Sequence, residues 1–305
     1  MKTIFGEERT MRAMLPLIGL ALALAQMPAS AADKAPISLA KASKWEINYD
    51  EDSCHLFARF GSGDSAALLA LTRTSPSDWL EMSVFGEMLK FDGIAMPVEV
   101  AFGNQATPFK RTGVAITTGT NKLPGVIVEG LRLDGWDFPA KPKGPVVVPV
   151  LAPQTEAEVT SITLKRPGGK RYRLETGSLA APMAAMRACT DDLLVHWGYD
   201  PKVEAGLTRQ AVPIGNMGSW IRSEDFPEKA LTRGHNGYVR FRLDVGPDGT
   251  VTGCRVLFRT NPDDFADHSC KLLMQRARMT PALDAAGKPV KSYYMSRIKW
   301  QAGDW

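Results

Sequence analysis

Histidine and cysteine are scarce in this chain, four of each in 305 residues, and the scarcity removes several function classes. No two cysteines form a C-x-x-C pair, so neither a zinc knuckle nor a thioredoxin-type redox motif is encoded. No run of lysine and arginine occurs, and 37 basic against 33 acidic residues leave a formal charge of only +4. That is no footprint for nucleic acid. The apolar run Met14–Ala25 is shorter than the ~20 residues a spanning helix needs, and no other segment could cross a membrane. Pro167-Gly168-Gly169-Lys170 lacks the spacing of a phosphate-binding P-loop. Gly61-Ser62-Gly63-Asp64-Ser65 lacks the G-x-S-x-G spacing of a nucleophile elbow. Asp264 and His268, four apart with Asp267 between them, have metal-ligand spacing. Acids at a helix start are also favoured by the helix dipole, and a solvated helix start is the expectation. His55 follows Cys54 and His196 shares a candidate helix with Cys189, but a reactive pair would need a free thiol. The chain reads as a non-enzyme with no catalytic residue, no metal site and no cofactor.

What is present begins at the N-terminus. Lys2, Arg9 and Arg12 precede the run Met14–Ala25, and P-A-S-A-A-D follows, with small-residue cleavage positions after Ala31 or Ala32. This is the layout of a secretory signal; Met11 offers an alternative start with the same layout. Residues 1–31 are expected to be a signal peptide, with an uncleaved anchor as the alternative. Export places the cysteines in an oxidising compartment, where four suggest two disulfides with three formal connectivities. Cys54–Cys189 and Cys254–Cys270 are expected, because each pair then stays within one candidate domain.

Residues 32–200 read as a β-rich domain. Residues 32–44 are small and polar, a mobile lead. Short strands are predicted at Trp45–Asn48, around Cys54, and at Ala66–Thr72, Trp79–Phe85, Val98–Phe102, Gly113–Thr117, Gly125–Val128 and Val146–Leu151. A hairpin with Pro167-Gly168-Gly169 at its tip follows. Evenly spaced short strands with Gly/Pro punctuation imply a sandwich-like arrangement or a small barrel. Met186, Cys189, Leu193 and Trp197 recur at helical spacing, so a closing helix is predicted over about Pro182–Trp197, with Gly198 as a left-handed cap. Residues 201–219 lose periodicity and read as an ordered linker.

Residues 220–305 carry the densest pattern. Phe226-Pro227 opens a short helix ending at Gly234. Tyr238–Val245 alternates: Val239, Phe241, Leu243 and Val245 face a core, while Tyr238, Arg240, Arg242 and Asp244 face water. Pro247-Asp248-Gly249 turns into a return strand, Thr250–Phe258. Asn261-Pro262-Asp263-Asp264 marks a helix start, with Ala266, Cys270, Leu273 and Ala277 as its buried stripe. Thr280-Pro281-Ala282 ends it, Asp284–Lys288 turns, and a last strand runs Tyr293–Trp300.

This order resembles the C-terminal domain of the TonB energy transducers. Phe226-Pro227, Gly237-Tyr238-Val239, Asp248-Gly249-Thr250-Val251 and Pro281-Ala282 occupy that family's motif positions, over about the last quarter of the chain. The resemblance implies two helices on a three-stranded antiparallel sheet for this region, which with the β-rich, sandwich-like domain and its closing helix makes an α+β architecture overall. It implies a periplasmic location and a partner, an outer-membrane TonB-dependent transporter, whose N-terminal peptide adds beside the last strand. By the same resemblance the docking strand is Tyr293, Tyr294, Met295, Ser296, Arg297, Ile298 and Lys299, with Phe226 and Pro227 near the transporter. The implied process is TonB-dependent transmembrane transport. Departures from the family are the missing Pro-rich arm, an apolar segment that looks cleavable, and Arg259-Thr260-Asn261 in place of a Ser-Ser-Gly turn. They keep an alternative open: a soluble periplasmic adaptor or envelope-binding protein without an energy role. A retained signal would instead give an inner-membrane-anchored protein facing the periplasm. The upstream domain distantly resembles the periplasmic invasion-associated locus B family.

Overall fold

The computed structural model describes residues 35–90, 95–120, 122–141, 146–166, 170–260 and 263–302. The signal-like segment with Ala31-Ala32, the hairpin tip at 167–169 and the Asn261-Pro262 pair lie outside them.

Ten strands form one continuous sheet: β1 (Ile37–Ala40), β2 (Glu46–Tyr49), β3 (Cys54–Phe60), β4 (Ala67–Arg73), β5 (Leu80–Phe85), β6 (Ala95–Phe102), β7 (Phe109–Thr118), β8 (Leu123–Leu131), β9 (Ile162–Lys165) and β10 (Arg171–Glu175). Their spatial order is β1-β10-β9-β6-β7-β8-β5-β4-β3-β2. Alternation dictates which way each strand faces. Cys54, Leu56, Ala58 and Phe60 of β3 point inward, as do Ala67, Leu69 and Leu71 of β4. The two ends of the sheet meet. β1 pairs in parallel with β10, and just beyond it Lys41 bridges Phe60 of β3. The Gly61 N–H also donates to the Ala40 carbonyl at 2.8 Å. The sheet therefore curls into a barrel instead of splitting into two packed layers, and closure removes most of its open edge.

Two sequence expectations change here. The supposed mobile lead contains β1, with Leu39 buried in the core; a four-residue strand with one buried residue is too little pattern to announce it. Val146–Leu151 is extended but joins no ladder. Pro149 has no N–H to give, its carbonyl accepts from Arg132 Nη2 at 2.9 Å, and Val147 and Val150 face solvent.

Two helices cover the barrel, α1 (Pro153–Glu158) and α2 (Ala180–His196). Met183, Met186, Cys189 and Leu193 of α2 lie in the barrel core. Gly198 ends the helix at φ +81°, a conformation other residues resist. A disulfide joins Cys54 of β3 to Cys189 of α2.

The C-terminal region starts earlier than its sequence pattern. α3 (Pro201–Ala205) follows α2 directly, and β11 (Val212–Pro213) lies in the stretch whose periodicity fades. Then come α4 (Glu228–Thr232), β12 (Gly237–Val245), β13 (Val251–Arg259), α5 (Ala266–Arg276), β14 (Met279–Thr280), β15 (Ala282–Leu283), β16 (Pro289–Val290) and β17 (Ser292–Trp300). β11 pairs with β14, and Ala211 and Trp220 share a core with Phe241, Leu243 and Leu273. α5 begins at Ala266, later than the Asn261-Pro262 signal suggests; Asp263 Oδ1 accepts the Ala266 N–H at 3.3 Å. The principal sheet is β13-β12-β17, all antiparallel. Gly237 opens β12 because a Cβ there would lie 2.1 Å from the Phe265 ring. A second disulfide, Cys254–Cys270, ties β13 to α5.

The bridge between Cys54 and Cys189 closes a chain separation of 135 residues, so it removes much unfolded-state freedom. Replacing both cysteines with alanine is expected to lower stability by roughly 2–5 kcal/mol, read from denaturant unfolding of otherwise oxidised protein.

Candidate functional site

Strand β17 is an edge. Its nine residues pair with β12 without a register shift, Gly237 opposite Trp300 through Val245 opposite Ser292, and among the described residues no strand lies on its other side. Backbone parity fixes which groups face out. The Tyr238 N–H donates to Thr260 Oγ1 at 3.0 Å and its carbonyl accepts the Thr260 N–H at 3.1 Å. The Asp244 carbonyl accepts from Thr252 Oγ1 at 3.2 Å. Even-numbered residues of β12 therefore address β13, and odd-numbered ones address β17. Through the register, Ser292, Tyr294, Ser296, Ile298 and Trp300 bond inward to β12. Tyr293, Met295, Arg297 and Lys299 direct their N–H and C=O groups away from the sheet. Seven of the expected docking residues, Tyr293 to Lys299, thus split into two sets with different tasks.

Both ends of β17 are pinned. Trp300 donates from Nε1 to Ser269 Oγ at 3.0 Å and stacks on Phe265. Phe226 meets both rings edge-on, so Phe226-Pro227 stands at the C-terminal end of the strand, with Pro227 capping α4. Arg276 holds this corner through Asp225, with contacts at 2.5 and 2.9 Å; that guanidinium keeps the Asp225 carboxyl below the usual carboxylate range. At the other end Ser292 Oγ donates to Glu204 at 3.0 Å, and Lys291 Nζ donates to the Gly198 carbonyl at 2.6 Å. Asp264 and His268 do not converge: Asp264 pairs with His235 at 2.5 Å, and His268 meets the Asp225 carbonyl at 2.7 Å.

The face of β12 expected to be wet is instead packed against the barrel. Arg240, with 19% of its side chain exposed, contacts both Glu81 of β5, at 2.7 Å, and Glu129 of β8. Burial works against its charge, but the two carboxylates outweigh burial and raise its pKa. The Tyr238 hydroxyl donates to Glu129 at 3.2 Å. The Arg242 guanidinium lies 4.0 Å over the Trp197 ring of the closing helix and 3.7 Å from Asp52. Arg255 of β13 reaches Glu51 and Asp52. Tyr293 fits between Trp197 and Tyr199; burial, with Glu204 nearby, pushes its phenol up to about 12. Alternation put Tyr238, Arg240 and Arg242 together on the polar face of β12. It could not show that the polar face meets a second charged surface, because cross-domain partners carry no local spacing.

A small α/β module with a pinned but unpaired edge strand belongs to the class of domains that can accept an extended peptide by strand addition. Residues 222–302, the last quarter of the chain, match the family model described as Gram-negative bacterial TonB protein C-terminal. Domains of that family are envelope-associated, serve transport without being enzymes, and interact with outer-membrane transporters. No curated protein matches the chain. Among the described residues no helix is long and apolar enough to cross a membrane.

Removing the Arg240 side chain would leave Glu81 without its cation and Glu129 with only the exposed Arg297, 3.5 Å away. Arg240→Ala is expected to cost about 3–5 kcal/mol and to separate the unfolding of barrel and C-terminal module. Calorimetry should show one transition for the parent and two for the variant.

Proposed function

We propose that this is a TonB-family envelope protein that captures an extended segment of an outer-membrane transporter as a fourth strand beside β17, linked to TonB-dependent transport. The observation that carries this reading is the unpaired row of main-chain groups on Tyr293, Met295, Arg297 and Lys299, held straight by an unbroken ladder to β12. Affinity in such a mode comes mainly from backbone hydrogen bonds, and neighbouring side chains select the partner. Tyr294, Ser296 and Ile298 would face the same side as the covering helices. Arg297 and Lys299 would meet the partner's opposite face. Phe226 and Pro227 would border the strand's far end.

A second reading is favoured by the packing of β12 on the barrel. A module fixed to a barrel through Arg240, Arg242 and Arg255 is not carried on a free arm. It suits a soluble periplasmic adaptor that uses the same edge for another envelope protein, with no energy role. The two readings differ in whether the protein is anchored in the inner membrane. The intact mass of protein recovered from its own envelope separates them: a start near Ala32 fits the adaptor, and retention of Met14–Ala25 fits a transducer.

Parity supplies a sharp test of the edge itself. Proline at Arg297 deletes an outward N–H and spares the ladder to β12; proline at Ser296 deletes an inward one. Peptides covering the N-terminal segments of the host's outer-membrane transporters would be titrated against each variant. Arg297→Pro should weaken binding at least tenfold while keeping the parent's circular dichroism and melting behaviour. Arg297→Ala should bind within about threefold of the parent, and Ser296→Pro should lose stability. Undiminished binding by a folded Arg297→Pro protein would remove β17 as the docking strand.

A further inference from the structure

Apolar side chains exposed singly need no explanation, but one corner of the barrel gathers several. Val147 is 87% exposed, Val150 91% and Phe138 53%, and Val148 is exposed as well. Trp79 and Trp136 are half-buried beneath them. Phe138 stacks on Trp79 with ring centroids 5.4 Å apart and meets Trp136 edge-on at 5.0 Å. Contiguous apolar surface of this kind marks a contact site.

One buried arginine fastens the pieces together. Arg132 is 1% exposed. Its guanidinium lies 5.5 and 5.4 Å from the ring centroids of Trp79 and Trp136. Asp134 holds it at 3.1 and 2.7 Å, and it donates to the Pro149 carbonyl at 2.9 Å. Asp78, next to Trp79, accepts the Leu151 N–H at 3.0 Å. The valine segment and the aromatic group therefore share one hub, and hydrogen bonds keep the apolar side chains turned outward.

The shape of the patch selects its occupant. Neighbouring side chains of an extended chain point apart, so Val147 and Val148 occupy different flanks, and both are exposed. A protein surface laid on one flank would leave the other in water, whereas fluid lipid can surround the segment. Charge does not oppose lipid headgroups. Asp78 and Asp134 are held by Arg132, and Asp137 by Arg111 at 2.8 and 2.9 Å. Lys141 is exposed, and the sequence from Phe138 to Thr155 has no acidic residue. The backbone is partly prepared too: Pro149 has no N–H, its carbonyl is taken by Arg132, and the Leu151 N–H is taken by Asp78. The remaining polar groups keep the segment at headgroup depth, outside the hydrocarbon.

We propose that Val147, Val148, Val150 and Phe138, on their base of Trp79 and Trp136, form a lipid-contact site that seats the barrel in the headgroup region of a bilayer. Aromatic and aliphatic side chains favour that zone, where one end of a ring is apolar and the other wet. The site is separate from the β17 edge and does not rest on it. It would hold the protein reversibly at a membrane surface whether or not Met14–Ala25 is retained.

Residues 36–305 form one compact unit. A chain starting at Asp33 therefore keeps every described strand and helix and lacks Met14–Ala25, which would bind lipid by itself. The oxidised protein would be sedimented with vesicles of mixed phosphatidylethanolamine and phosphatidylglycerol. It should partition onto them, and acyl chains brominated near the headgroup should quench part of its tryptophan emission. Val147→Ser combined with Val150→Ser should keep the parent's melting temperature, weaken partition about tenfold or more, and lose the quenching. Phe138→Ser should weaken partition as well. Arg297→Pro, which alters only the β17 edge, should bind vesicles like the parent, so a failed docking strand and a failed lipid site give different results. No partition by the parent overturns the site, as does undiminished partition by the folded double serine variant. Self-association of the parent that the serine variant loses, without partition, would assign the patch to a second copy of the chain and overturn the lipid contact.

Discussion

The contact of Arg240 with Glu81 and Glu129 is the constraint on which the rest of the arrangement depends. It sets one face of the C-terminal sheet against the outer wall of the barrel. A cation between two acids in a half-dry junction is stable only while all three stay in place, so β12 is fixed relative to β5 and β8. Tyr238, Arg242 and Arg255 extend the junction along the sheet, and Trp197 and Tyr293 close one end with apolar surface. The opposite face of β12 is taken by α5 and the 207–221 segment. Both faces of the sheet are therefore occupied, and the edges are where it has bonding capacity left.

Much of the C-terminal module was legible because its signals are local. Strict alternation located β12, Asp248-Gly249 located the turn, and the spacing of Ala266, Cys270, Leu273 and Ala277 located α5. Gly237 shows the same economy: one glycine allows the Phe265 ring to lie against the strand. The segment before Trp220 was opaque for the opposite reason. Ala211 and Pro213 contribute through contacts with β14 and the core some 70 residues later, and a two-residue strand has no period to detect. β1 was missed on the same ground, since its place is set by β10 and Phe60, both distant in sequence.

The candidate site was legible as a strand, and by family resemblance as a docking edge, but its parity was not. Residues Tyr293–Lys299 could be placed from pattern and family resemblance, but which of them face outward is a property of the ladder. It follows from Tyr238 and Asp244 bonding to β13, and single-sequence reasoning has no access to that parity. The junction with the barrel was hidden more deeply. Arg240 and Glu129 look like ordinary solvated residues until the two surfaces are brought together.

The two ladders flanking β12 are not equivalent. With β17 the register runs through nine pairs unbroken, whereas with β13 it shifts twice, between Arg240 and Phe241 and between Asp244 and Val245. A load along β17 is shared by all the rungs of the first ladder at once and passes into β12. From there Arg240 hands it to the barrel wall, bypassing the interrupted ladder. The Cys254–Cys270 bond further guards β13 by tying it to α5. Under tension the edge, β12 and the barrel would behave as one stiff member, with the bulged ladder to β13 left out of the path.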